Sequence, residues 1–202
     1  MQPAKPTVEA LNGDRQIHQV RLIEQIGNRA ANLFTTRQLW CSGAVLSVLN
    51  RGLGGDLPDA LALRLGSGLA EGIGGSGCTC GALTGGAMAI GLFCGPAGRV
   101  RHRSRTARTL SRRFHDQFKA RYGSTCCRVL TRAVVQGSQA HFEKCAQQTA
   151  DAAGWAATLI LETRPELLDT ADWDYLNQAD SRLKAGLKVI GDLLKRRDPK
   201  RR

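Results

Sequence analysis

Apolar residues recur every three or four positions along most of the chain, and alternation with a period of two is absent. From Arg15 to Phe34 they fall at Ile17, Val20, Ile23, Ile26, Ala30 and Leu33, which predicts a helix with one buried stripe. Thr35 and Thr36 are placed to cap a second helix running to about Asn50, with Cys41, Ala44, Val45 and Val48 on one side. Gly52, Gly54 and Gly55 end it, and Asp56 and Pro58 start a third helix from Leu57 to about Ala70. A glycine-rich turn, residues 72–77, leads into Cys78-Thr79-Cys80 and a helix over Gly81–Gly95. Val100 to Tyr122 reads as a basic helix with a Leu110, Phe114, Phe118 stripe, ended by Gly123. Ser124 and Thr125 can cap a short helix starting at Cys126-Cys127. Ser138 can cap a long one from about Gln139 to Glu162, with Phe142, Cys145, Thr149, Ala153, Ala156 and Ile160 on one side. After Pro165 a last amphipathic helix is expected, through Trp173, Leu176, Ala179, Leu183, Leu187, Ile190 and Leu194.

The pattern predicts an all-α protein, a compact helical bundle with an additional C-terminal amphipathic helix. Residues 1–13, with Pro3, Pro6 and Gly13, read as a flexible arm; 14–162 form the helical, cysteine-containing domain; 163–202 supply the last helix and a basic tail. Aromatic residues are only 5% of a chain that is 42% hydrophobic, so the core must close by backbone approach at Ala and Gly more than by rings. From Gly72 to Gly98 no side chain except cysteine is ionisable, which raises the question of a membrane span. The helical part is about fifteen residues, short of the roughly 20 that cross a bilayer. Gly81 with Gly85, and Gly91 with Gly95, fit a tightly packed buried helix. With no signal peptide at the N-terminus, a cytoplasmic location is expected, where thiols stay reduced.

Charge changes the picture locally. The net charge is +12, but the eleven Lys and Arg between Arg99 and Arg132 face a single acid, Asp116, and the tail from Lys195 adds a net +5. The rest of the chain is slightly acidic. The basic segment lacks interleaved aromatics for stacking bases, so an acidic redox partner protein is the expected contact, with weak non-specific nucleic-acid binding at low salt. A homodimer is left open.

The candidate chemistry is narrowed by exclusion. The glycine turn has no strand before it and no Lys after its last Gly, so neither a dinucleotide fingerprint nor a phosphate loop is present. No histidine stands in an H-E-x-x-H or C-x-x-C-H pattern, and there is no C-x-x-C for a zinc ribbon or thioredoxin-type pair. His141, one turn before Cys145, is read as a surface residue that could join it as a ligand. The seven cysteines remain: Cys41, Cys78, Cys80, Cys94, Cys126, Cys127 and Cys145. Cys94 reads as a small buried hydrophobe. Cys80 and Cys127 stand at or near helix starts, where the dipole favours a thiolate.

Several segments then carry a resemblance in order along the chain: Ala31-Asn-Leu-Phe34, Leu39-Trp-Cys-Ser-Gly-Ala-Val-Leu46, Ala62-Leu-Arg-Leu-Gly-Ser-Gly68, Cys80-Gly-Ala-Leu-Thr-Gly85 with Ala87-Met-Ala-Ile-Gly-Leu92, and Gly123-Ser-Thr-Cys-Cys-Arg-Val-Leu130, followed by Cys145. Together they resemble the C_GCAxxG_C_C family of redox-active proteins over roughly residues 29–162. The resemblance implies a helical domain, a redox role and four signature cysteines at Cys41, Cys80, Cys127 and Cys145. The central motif here reads Cys-Gly-Ala where the family label has Gly-Cys-Ala, and Cys78 and Cys126 lie beside two signature positions. A related domain occurs in split-Soret cytochrome, with an iron–sulfur cluster and haems; the absence of C-x-x-C-H leaves only the cluster to carry over. Four thiolates suit a [2Fe–2S] or [4Fe–4S] centre, or zinc. The expected function is electron transfer or redox sensing at such a cluster. The alternatives are a metal-free thiol redox protein, through Cys126-Cys127 or Cys78 with Cys80, and a zinc-stabilised nucleic-acid-binding protein. Whether the protein is an enzyme is left open.

Overall fold

The structure, a computed structural model, describes residues 8–96 and 105–181. Within them run α1 (Val8–Thr35), α2 (Cys41–Gly52), α3 (Asp59–Ser67), the single turn α4 (Ala70–Ile73), α5 (Gly81–Cys94), α6 (Thr106–Tyr122), α7 (Cys127–Thr131) and α8 (Gln139–Thr163). A 3₁₀ turn (Pro165–Thr170) and the one-turn α9 (Trp173–Leu176) follow. Among the described residues the only β pairing is one isolated antiparallel bridge, Thr79 with Cys126. The protein is all-α, as its periodicity predicts.

The core forms around α2. Of its twelve residues, Ser42 to Asn50 and Gly52 are buried, because α1, α3, α5 and α8 all pack against it. Small residues make this enclosure sterically feasible. At the α2–α3 crossing, a Cβ on Gly66 would stand 2.7 Å from the Gly43 Cα, and the Ser42 hydroxyl donates to the Gly66 carbonyl at 2.7 Å. At the α2–α5 crossing, a Cβ on Gly85 would stand 2.5 Å from the Ser42 carbonyl oxygen. One turn of backbone thus lies directly on another, and dispersion contacts replace bulky side chains. Gly86 takes the Phe114 ring of α6 in the same way. Leu110, Phe114 and Phe118 are buried as predicted, each such side chain contributing about 1.5–3 kcal/mol by burial.

Several expectations change in three dimensions. Thr35 and Thr36 do not cap α2; both hydroxyls donate back to the Asn32 carbonyl, and Arg37 turns the chain with φ of 59°. Trp40 stands at the N-cap of α2 without a side-chain bond. The buried stripe of α1 is rotated from the one predicted: Leu22, Ile26, Ala30 and Leu33 are buried, whereas Ile17 and Val20 are exposed. The N-terminal half of α1 meets the chain after α8 through polar groups, with Arg15 donating to the Pro165 carbonyl and the His18 ring 4.9 Å from Trp173. That contact turns Ile17 and Val20 outward. Residues 8–13, read as part of an arm, belong to α1; residues 1–7 lie outside the described residues.

The basic helix is seen from Thr106, residues 97–104 lying outside the description. The C-terminal amphipathic helix does not run on from Trp173, since the chain leaves helix after Leu176; its remainder, from residue 182, lies outside the described residues. The described end is strapped to α1 by polar bonds. Asp180 pairs with the buried Arg29 at 2.8 Å and also accepts from Gln38, and its backbone N–H donates to Asn32. Two caps follow the sequence, the Ser138 hydroxyl accepting from the His141 N–H and Gly123 closing α6 at a φ of 75°, whereas the N-cap of α7 is Cys126, without a side-chain bond, and not Ser124 or Thr125. No helix among the described residues is long and apolar enough to cross a membrane.

Candidate functional site: a cysteine-lined cavity

Four helices deliver one cysteine each to one cavity of about 190 Å³. Cys41 is the first residue of α2, Cys80 the N-cap of α5, Cys127 the first residue of α7, and Cys145 lies in the second turn of α8. Three of them are held by helix starts, so their positions depend on how the loops enter those helices. The isolated bridge does this for two. Cys80 N–H donates to the Thr125 carbonyl at 2.8 Å, and Cys127 N–H donates to the Cys78 carbonyl. The two cysteine loops are thereby stapled side by side at the cavity wall.

The same pairing separates neighbouring cysteines. Successive residues of an extended segment point to opposite sides. Cys127 lines the cavity, while the Cys126 thiol turns away and donates to the Gly77 carbonyl at 3.1 Å. Cys80 is buried in the cavity wall, and Cys78 is exposed outside it. Cys94, at the far end of α5, is buried away from the cavity, as its sequence context suggests. All seven cysteines are free.

The remaining wall is a left-handed turn. Glu71, Gly72, Ile73, Gly74 and Gly75 have φ between 53° and 82°, a run that L side chains resist. Glu71 and Ile73 each hold this conformation at a cost of about 1–3 kcal/mol. The turn is clamped by Cys78 N–H and the Ser76 hydroxyl, both donating to the Gly72 carbonyl, and by Arg128, whose guanidinium donates to the Ser76 carbonyl at 2.8 Å. Gly72 must lack a side chain, since a Cβ there would stand 2.8 Å from the Cys127 Cβ. Gly81 must too, since a Cβ there would collide with the Cys41 sulfur.

Burial dominates the thiol chemistry. It holds the Cys41 thiol above its ordinary range, against the backbone N–H groups of Glu71 and Ser42 that face its sulfur. Cys80 is pushed up to about 12 by burial and by the neighbouring Cys41 sulfur, although the N–H groups of Leu83 and Ala82 point at it. Burial likewise raises Cys127, helped by Cys41 and Glu71, and pushes Cys145 up to about 12. The thiolates expected at the starts of α5 and α7 are therefore not the resting state. The helix N-terminus supplies its donors to Cys80, but desolvation of a sulfur anion outweighs them.

Other side chains complete the cavity. Glu71 reaches it, and its charge is felt at Cys41, Cys127 and Cys145. Periodicity does not mark it, although it is the sole acid between Asp59 and Asp116, which was the available signal. His141 lines the cavity too, but its Nδ1 accepts the Gly137 N–H at 3.1 Å, which places the proton of the neutral ring on Nε2. It closes the loop into α8 and offers no free lone pair to a metal. Gln148, three residues after Cys145, lines the cavity at 2% exposure, and its Nε2 has no hydrogen-bond partner among the described residues. An orphaned buried donor costs about 1–3 kcal/mol.

Among the described residues, no three His, Cys, Asp or Glu side chains are grouped so as to hold a single metal ion.

No curated protein and no solved structure matches the chain. Residues 39–159 match the family described as "Putative redox-active protein (C_GCAxxG_C_C)", and that span begins just before Cys41 and ends beyond Cys145. The match covers more than half of the chain and all four cavity cysteines, and the protein belongs to the C_GCAxxG_C_C family of redox-active proteins.

Proposed function

We propose that Cys41, Cys80, Cys127 and Cys145 hold an iron–sulfur cluster, [2Fe–2S] or [4Fe–4S], used for electron transfer or redox sensing. The observation that carries this reading is the arrival of four cysteines from four helices around one cavity of about 190 Å³. When bound, such a cluster supplies one-electron chemistry at sulfur-ligated iron. The donor set fits it: four sulfurs, an apolar wall from Phe34 and Phe142, and glycines where side chains would fill the space. Backbone N–H groups already face the Cys41 and Cys80 sulfurs and would remain as donors to their thiolates.

Two observations weigh against a metal-free dithiol. A dithiol made from cavity cysteines needs a thiolate to attack, and burial raises all four cavity thiols above their ordinary range. The vicinal Cys126 and Cys127 also point apart. Metal ions reverse the protonation preference by supplying positive charge directly at the sulfurs.

The redox partner in this reading is an acidic protein. Arg108, Arg112 and Lys119 are exposed on the solvent side of α6, opposite its Leu110, Phe114, Phe118 stripe. Such a face steers weak, salt-sensitive encounters. Tight, sequence-selective nucleic-acid binding at physiological salt would contradict this assignment.

The direct test is purification without oxygen. Coloured protein carrying iron and acid-labile sulfide is expected. Colourless protein with zinc alone, or with no metal, would sink the proposal.

A further inference from the structure

The hydrogen-bond donors around the cavity are unevenly distributed. Cys41 and Cys80 sit at helix starts, where backbone N–H groups have no partner within the helix and turn toward sulfur. Cys145 sits inside α8, where the N–H groups around it are committed to the helix ladder. No backbone N–H faces its sulfur; its surroundings are burial and neighbouring charges. Only a side chain can supply a donor at that end of the cavity. Gln148 is the residue one turn further along α8; it is buried and lines the cavity, and its Nε2 has no partner.

The geometry points to Gln148 as the side-chain hydrogen-bond donor to a sulfur of the bound cluster, setting its reduction potential from the α8 side. This inference rests on the cluster reading above. The amide is too buried to find solvent, and no acceptor among the described residues meets it, the Cys145 sulfur included. The acceptor must come with whatever occupies the cavity. An inorganic sulfide, or a cysteine thiolate shifted by iron, provides one. A neutral donor aimed at sulfur stabilises the reduced cluster, which carries the extra electron, over the oxidised one. Gln148 therefore raises the potential and is a positioning residue, not a ligand.

The experiment uses the full chain, loaded anaerobically and titrated with dithionite under EPR, with iron and sulfide measured on every sample. Gln148→Met keeps the length and apolar stem but has no donor; Gln148→Glu keeps the shape and replaces the donor with an acceptor. Both are expected to load iron at the wild-type ratio, with the midpoint potential moved to more negative values, further for Gln148→Glu. A loaded Gln148→Met with the wild-type potential would overturn the role of Gln148 and leave the cluster reading standing. Wild-type protein without iron or sulfide overturns both. If the variants do not fold, pulsed EPR on reduced wild-type protein labelled with ¹⁵N in its glutamine side chains decides. A coupled nitrogen that persists in Gln136→Leu, the other glutamine lining the cavity, supports Gln148; absence of coupling overturns it.

Discussion

Cys80 and Cys94 stand at opposite ends of α5, and the two ends follow different physics. At the N-terminal end, Gly81 and Gly85 let the helix lie directly on α2, so the Cys80 sulfur is brought to Cys41, Cys127 and Cys145. The chain leading in is a left-handed turn held by bonds from the α7 segment. At the C-terminal end, no described residue stands within 4 Å of where a Gly91 Cβ would be, and Cys94 is a buried filler on which Arg164 is the charge that acts most. Both cysteines are buried, and both have raised thiols. Burial therefore does not distinguish a site cysteine from a core cysteine. Convergence of other chain segments does.

Four predictions sharpen this contrast. The largest effect is expected from the sulfurs themselves. Changing Cys41, Cys80, Cys127 or Cys145 to Ser should each remove most of the iron, while Cys94→Ser keeps it. Cys78→Ser and Cys126→Ser should have smaller effects, because neither side chain lines the cavity. Iron per chain after anaerobic purification is the readout; an empty Cys126→Ser beside a full Cys127→Ser would place the ligand one residue away.

Next comes packing. Gly85→Ala puts a Cβ 2.5 Å from the Ser42 carbonyl oxygen, which only a separation of α2 from α5 can relieve. The expected loss is about 1–3 kcal/mol in urea unfolding. An unchanged midpoint would show that the helices are not in backbone contact there.

The third effect is pH dependence of the metal-free, reduced protein. Cys80 and Cys145 are raised in the fold to about 12 from the ordinary 9.0, so the folded state holds their protons longer than the unfolded chain does. Their contribution is intact below 9.0 and is lost as pH climbs from there toward about 12. For Cys80 this amounts to at most about 2 kcal/mol between about pH 8 and about pH 10.5. The stability gap between the two pH values should narrow in Cys80→Ser, with the Cys145 contribution remaining; an unchanged gap would reject the assignment.

The smallest effect is a gain. Gly91→Ala fills open space in the middle of a helix, and α5 should be stabilised by about 0.5–1 kcal/mol. A thermal midpoint that falls instead would mean that this end of α5 is packed after all.

The helical class and most helix positions were legible in the amino-acid sequence. The reason is local: a period of three to four, caps such as Ser138 and stops such as Gly123 act within a few residues of one another. It also carried the family, because the cysteines and their flanking small residues keep order and spacing along the chain. Tertiary structure decided everything that needs a second segment. The buried stripe of α1 turned because the chain after α8 meets Arg15 and His18. Of Cys78 and Cys80, and of Cys126 and Cys127, pairing of the two loops chose which line the cavity. The resting protonation of Cys80 followed the same rule. A helix start is visible in sequence and favours the thiolate, but desolvation is a sum over surrounding atoms that only the folded chain assembles. Gln148 shows this most plainly, since an amide on a helix is unremarkable until the fold buries it beside a cavity with no partner.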